Sequence, residues 1–67
     1  MEQIFRLGPV SSAARAKRIL SDKGIRGRIT KTNESKEGCV WGIAVIGKDA
    51  ERAAIILRTE GVSYEAL

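Results

Sequence analysis

An apolar run at residues 38–47, GCVWGIAVIG, constrains the fold more than any other part of this sequence. Valine, isoleucine and tryptophan favour a pleated strand, and Gly38 and Gly47 flank the run as breakers. We therefore predict a central strand over residues 39–46. Because this strand is apolar on both faces, both faces are expected to be covered.

The two faces of this strand differ in side-chain size. Strand alternation places Cys39 and Trp41 on one face and Gly42 and Ala44 on the other. Small residues allow a helix to approach closely, so we expect the helices on the Gly42 face. Trp41 then either fills a core or dimer contact, as large aromatics do, or stacks on a ligand on the open face.

Glycine, proline and polar residues divide the rest of the chain into short elements. Alternation predicts strands over residues 3–7, 25–32 and 62–64, with a polar hairpin loop over residues 31–38. Helical spacing predicts one helix capped by Ser11 or Ser12 and ended by Gly24, and another capped by Asp49 and ended by Gly61. The predicted apolar stripes of the helices are Ala13, Ala16, Ile19 and Leu20, and Ala50, Ala53, Ile56 and Leu57.

The two predicted helices belong to an internal repeat. Residues 15–25 align with residues 52–62, with arginine, alanine, isoleucine, leucine and glycine at matching positions. Two amphipathic helices of similar composition could also align this well, but the shared exit through glycine favours a repeat. Two βαβ units predict an α+β fold, a ferredoxin-like βαββαβ two-layer sandwich with antiparallel sheet order 4-1-3-2, formed by residues 1–67 as one domain.

Composition narrows the classes of function. The chain of 67 residues has one cysteine and no histidine, so we expect no internal disulfide, no metal site, no catalytic triad and no cofactor. A free thiol suits a reducing cytoplasm, and no run is long enough to predict a membrane span or a signal peptide. The net charge of +4 indicates either an anionic partner or simple solubility.

The predicted topology gives the lone cysteine a specific position. The start of the third strand lies beside the end of the first, so Cys39 is expected near Gly8 and near Ser11 and Ser12 at the first helix. Free N–H groups and partial positive charge at a helix start favour a thiolate, and we expect a lowered pKa for Cys39. The other interpretation is a small buried hydrophobe.

Charged side chains of the predicted hairpin act on this thiol in opposite directions. Lys31 and Lys36 would favour the thiolate, whereas Glu34 and Glu37 would oppose it. The sequence does not decide the sign of the sum.

A second set of residues suggests nucleic-acid binding. On an open sheet face Trp41 would have Arg26, Arg28 and Thr30 as neighbours, a pattern similar to an RNA-recognition surface. The chain has only three aromatic residues, fewer than such a surface normally needs for stacking, so the nucleic-acid signal is weak.

The whole layout resembles a family of small prokaryotic proteins described as selenium/sulfur carrier-like. The resemblance lies in the Ala-rich helix with KRIL at residues 17–20, the exits KGI and EGV, and a cysteine that opens an apolar strand. In that family the cysteine often stands directly before glycine, whereas here Gly38 precedes Cys39 and Gly42 follows. The resemblance implies a persulfide or perselenide held on Cys39 and passed between a donor and an acceptor protein.

These observations predict a carrier more than a turnover enzyme. In this hypothesis Cys39 is the carrier thiol, the first helix supplies the electrostatics, Gly38 and Gly42 give access, and the uncovered Trp41 face suggests a homodimer. One alternative is a non-enzymatic binding or regulatory module for nucleic acid or protein, with Arg26, Arg28 and Trp41 as its surface. Another is a structural subunit in which Cys39 only packs.

Overall fold

Four strands and two α-helices make up the described part of the chain. The structure, a computed structural model, describes residues 1–35 and 38–66, and the side-chain surroundings of residues 1–32 and 40–66. In chain order the elements are β1 (Glu2–Gly8), α1 (Val10–Asp22), β2 (Gly27–Ser35), β3 (Gly38–Ile46), a 3₁₀ turn (Gly47–Asp49), α2 (Ala50–Thr59) and β4 (Glu65–Ala66).

The strands form one antiparallel sheet in the order β2-β3-β1-β4. This is the predicted order 4-1-3-2 counted from the opposite edge, so the α+β class and the strand order are confirmed. The long central pair is β1 and β3, in which Phe5 lies opposite Ile43. The same Ile43 lies opposite Ile29 of β2.

Both helices contribute to a single core against one face of the sheet. The predicted apolar stripes are confirmed, because Ala16 and Leu20 of α1 and Ala53 and Leu57 of α2 are fully buried. The buried cluster also contains Phe5, Ile25, Ile43, Val45 and Val62.

The prediction that the helices cover the Gly42 face is wrong. Ile43 and Val45 belong to the helix-covered core, so Gly42 and Ala44 lie on the other, open face. The physical reason is area: larger aliphatic side chains gain more from burial than glycine and alanine do. Trp41, by alternation, shares the helix side of β3.

Small residues on the open face serve contacts within the sheet. Arg28 lies opposite Ala44, and its guanidinium reaches across β3 to the Glu2 carboxylate of β1 at 2.9 Å. At Gly42, a Cβ atom would meet the Phe5 carbonyl oxygen and would lie 2.6 Å from the Thr32 methyl group. Gly42 is therefore required by close packing between strands, not by an approaching helix.

The exits of the two helices repeat each other, as predicted. Gly24 and Gly61 both have left-handed backbone, with φ of +82° and +75°, a conformation that costs glycine nothing. Each glycine sits in the same hydrogen-bonded turn. In this turn the N–H group two residues past the helix C-cap donates to the carbonyl of the buried leucine in the last turn of the helix. The bonds are Ile25 N–H to the Leu20 carbonyl (2.8 Å) and Val62 N–H to the Leu57 carbonyl (2.9 Å).

Several predicted boundaries move. The hairpin loop expected over residues 31–38 is wrong at both ends, because β2 continues to Ser35 and β3 begins at Gly38, with residues 36–37 outside the described part. Asp49 does take the N-cap position of α2, but its side chain makes no capping hydrogen bond. The last strand lies at Glu65–Ala66 rather than 62–64, because Val62 and Tyr64 pack against the core instead.

Candidate functional site

The end of the sheet where β1 stops and β3 starts contains the predicted carrier cysteine. Cys39 lies opposite Glu34 of β2, and Trp41, not Cys39, is the residue opposite Gly8. Two strand residues span roughly 7 Å, so the Cys39 backbone lies that much farther along β3 than the end of β1. The side chains of Cys39 and Glu34, and the whole of Lys36 and Glu37, fall outside the described residues.

Beyond Trp41, one side of β3 has no strand beside it in the described pairing. The last β1 residue in register with β3 is Gly8, and only β2 continues alongside Cys39. Strand β2 contains one extra residue between Lys31 and Asn33, and β1 one between Arg6 and Gly8. Such bulges bend and twist a strand. After its bulge β2 stays paired with β3 as far as Gly38, whereas the pairing with β1 ends at Trp41.

The first helix begins directly after this end of β1, but not in the predicted way. Pro9 holds the N-cap position, and its carbonyl accepts from the N–H groups of Ser12 (3.0 Å) and Ala13 (3.3 Å). No side chain caps the helix, so the prediction of a Ser11 or Ser12 cap is wrong; both serines lie inside the first turn. Proline has no N–H to satisfy and its fixed φ suits this position, so the helix starts earlier.

No carboxylate in the first turn of α1 offsets the partial positive charge at the start of this helix. Free N–H groups and the helix dipole therefore favour an anion at this end of the sheet.

A shallow groove of about 330 Å³ opens beside the same end. It is lined by Arg6, Leu7, Gly8, Val40, Ser63, Tyr64 and Glu65. Val40, one of its lining residues, directly follows Cys39 in the chain. The guanidinium of Arg6 donates to the Glu65 carboxylate at 3.2 Å, and its buried Nε has no hydrogen-bond partner among the described residues.

Sequence reasoning did not single out Arg6. Its position in the site comes from its register, in which Arg6 lies opposite Gly42 of β3. That register depends on the pairing of two strands distant in sequence.

Trp41 is half-buried, and the buried core cluster of the described residues does not include it. The ammonium of Lys31, its neighbour on β2, lies 5.6 Å from the centre of the indole ring. Such a cation–π contact leaves Trp41 paired within the hairpin rather than presented on an open sheet face.

The predicted binding residues fall into two separate groups. Gly8, Ser11, Ser12, Trp41 and Gly42 lie toward the Cys39 end, with the Gly38 backbone at the start of β3. Arg28 lies near the other end of β2, opposite Ala44, and Arg26 directly precedes this strand. Ala44 is five residue steps along β3 from Cys39, which is roughly 17 Å, and Arg28 and Trp41 are on opposite faces.

Gly42 does not open access to the thiol in the predicted sense. It is buried beneath Thr32, whose hydroxyl donates to the Val40 carbonyl at 2.9 Å. Glycine here allows the strands to approach.

Among residues 1–35 and 38–66, no three histidine, cysteine, aspartate or glutamate side chains come together as metal ligands would. No helix in this part of the chain has both the length and the apolar character needed to cross a bilayer.

Comparison of the chain with protein-family models, with curated proteins and with solved structures found no match. The resemblance to carrier-like proteins therefore depends on the sequence features alone.

Proposed function

We propose that this chain is a ferredoxin-like sulfur or selenium carrier of a reducing cytoplasm, with Cys39 as the carrier thiol. The observation that carries the proposal is the position of Cys39 on β3, past the last residue paired with β1. This end of the sheet also contains the uncapped start of α1 and the groove lined by Arg6 and Val40.

The proposed step is a transfer of sulfane sulfur between thiols. The Cys39 thiolate attacks the outer sulfur of a donor persulfide, a new S–S bond forms on Cys39, and the donor S–S bond breaks. The donor leaves as a thiolate, so no external oxidant or reductant is consumed. The N–H groups at the start of α1 favour negative charge at this end of the sheet, which supports a terminal persulfide anion on Cys39.

Neighbouring groups support transfer rather than hydrolysis. A carrier needs a nucleophile and a stabilised anion but no general base of its own, because a thiolate already is the reacting form. Among the described residues at this end of the sheet, Arg6 is paired with the Glu65 carboxylate, and the ammonium of Lys31 lies over the Trp41 ring.

The mass of the intact protein after incubation with glutathione persulfide tests the proposal. We expect wild-type protein to gain about 32 Da, one sulfur atom, and the Cys39→Ser variant to gain nothing, because only a thiolate can accept the atom.

The comparison of folded with urea-unfolded protein separates a carrier from any free thiol. A thiol pKa lower by one unit gives about tenfold more thiolate at neutral pH, each about threefold less nucleophilic, so loading should be about threefold faster in the folded state. Alkylation rate against pH should show a midpoint below about 8.5 for the same reason. Loading that is slower in the folded protein would remove the proposal.

The alternative nucleic-acid module loses its main support. It requires Arg26, Arg28 and Trp41 on one surface, and Arg28 and Trp41 lie on opposite faces of the sheet. The argument for a homodimer was an uncovered Trp41 face, and the helices lie on that side instead.

A further inference from the structure

The outer edge of β2 is long and unpaired within the described residues. Strand β2 covers nine residues at one end of the sheet order, whereas β4 at the other end has two. On such an edge, alternate residues direct N–H and C=O groups away from the sheet, where an added strand can pair with them.

Two adjoining grooves lie at the start of this edge and share Lys17, Arg26 and Gly27. The larger, of about 470 Å³, extends onto the open face over Ala44 and Ile46. The smaller, of about 270 Å³, lies toward the end of α1. Ile46 is 48% exposed, so the groove offers an apolar floor beside the strand edge.

The charge around these grooves is mainly positive. Three cations line the larger groove, Lys17, Arg26 and Arg28, with Glu2 as its single carboxylate. Glu2 is paired with Arg28. Lys17 and Arg26 have no ion pair with a carboxylate of the described residues, so they are available to an acidic ligand.

We propose that the β2 edge at residues 27–31 binds an extended acidic segment of a partner protein as an added strand. Main-chain hydrogen bonds hold the segment, its carboxylates meet Lys17 and Arg26, and an apolar side chain packs on Ile46. The grooves at the start of this surface lie beside Ala44, five residue positions along β3 from Cys39, and the proposal uses no property of the thiol, so the inference stands whether or not Cys39 carries sulfur.

A second copy of the chain fits this edge poorly. It would bring the same cations, Arg26, Arg28 and Lys31, to the interface, and like charges across paired strands repel.

A nucleic acid also fits poorly. Single strands are held by aromatic stacking, and no aromatic side chain lines these grooves. Phosphates would also leave the main-chain groups of the edge unused.

The probe for this proposal is a labelled peptide of about seven residues with alternating glutamate and valine, a length that matches one strand. We expect saturable binding by fluorescence anisotropy, with amide NMR shifts concentrated at residues 27–31. The double variant Lys17→Glu with Arg26→Glu should weaken binding about tenfold or more, since close charge pairs across an interface couple strongly.

The matched control is Arg52→Glu with Arg58→Glu on α2, two exposed cations away from the grooves. It changes the net charge by the same amount, from +4 to zero. Equal weakening by both double variants would show that only net charge attracts the peptide, and would overturn the proposal.

An N-methylated version of the peptide keeps its carboxylates but loses alternate main-chain donors. Strand addition predicts that it does not bind measurably, whereas unchanged binding would overturn the strand-addition geometry. The proposal would be overturned if the peptide did not bind. It would also be overturned if poly-U displaced the peptide, which would indicate a nucleic-acid site, or if the chain self-associated through the shifted residues, which would indicate a dimer interface.

Discussion

The two halves of this protein leave their helices in the same way and then diverge. In both, the residue after a left-handed glycine donates its N–H to a fully buried leucine, Leu20 or Leu57. The first half then enters a strand of nine residues, and the second enters one of two. The turn that ends each helix is thus set by local sequence, whereas the length of the strand that follows depends on its pairing with distant parts of the chain.

In the second half, Val62 and Tyr64 pack against the core before the chain pairs with a neighbouring strand at Glu65–Ala66. Tyr64 packs edge-on against Phe5, with ring centres 5.2 Å apart and an interplanar angle of 88°. After Tyr64, β4 pairs with β1 only opposite Phe5 and Arg6. In the first half, Gly27 opens β2 beside Val45 two residues after Ile25.

The largest expected effect tests whether the two exits are equivalent. Leu20→Ala and Leu57→Ala should each lower the free energy of unfolding by about 2–5 kcal/mol, because each removes a fully buried side chain. Urea denaturation measures both. The matched Leu→Met variants keep the volume and should cost less than about 1.5 kcal/mol. A cost for Leu57 well below that for Leu20 would mean that the second half is not anchored like the first.

A smaller effect is expected from the glycines themselves. Gly24→Ala and Gly61→Ala should each cost about 1–2 kcal/mol, the penalty of a left-handed backbone for a residue with a Cβ atom. No atom lies within 4 Å of a Cβ placed at either position, so sterics add nothing and the two costs should agree. If Gly24→Ala were clearly more costly in urea denaturation, the long β2 strand and not the exit turn would set the penalty.

The smallest effect distinguishes the two edges of the sheet. Glu2→Gln removes the carboxylate paired with Arg28 beside β2, and Glu65→Gln removes the one paired with Arg6 on β4. Both pairs are partly exposed, so each change should cost roughly 0–1 kcal/mol at low salt and less at high salt. The Glu65 variant should cost more, because Arg6 is less exposed than Arg28 and keeps a buried Nε without a partner. Equal, salt-independent losses would contradict this order.

Much of the fold was predictable because its signals are local. The helix stripes and the glycine exits depend on residues within one or two turns of one another, and both were confirmed. The strand order followed from right-handed crossovers in two βαβ units.

The candidate site was less predictable because its geometry depends on pairing between distant strands. The register of β1 against β3, with its bulge between Arg6 and Gly8, places Trp41 rather than Cys39 opposite Gly8. Arg6 gained its place beside Val40 from the same register. Pro9 replaced the expected serine cap because it both ends β1 and starts α1.

By itself, the sequence determined the glycine at which each helix ends and which helix residues face the core. Both depend only on neighbouring residues, through backbone conformation and side-chain periodicity. Only the tertiary structure decided which face of β3 the helices cover. Both faces are apolar, and the choice depends on the total area that Ile43 and Val45 bury against two separate helices. For the same reason, tertiary structure separated Arg28 from Trp41, which the chain alone would place together.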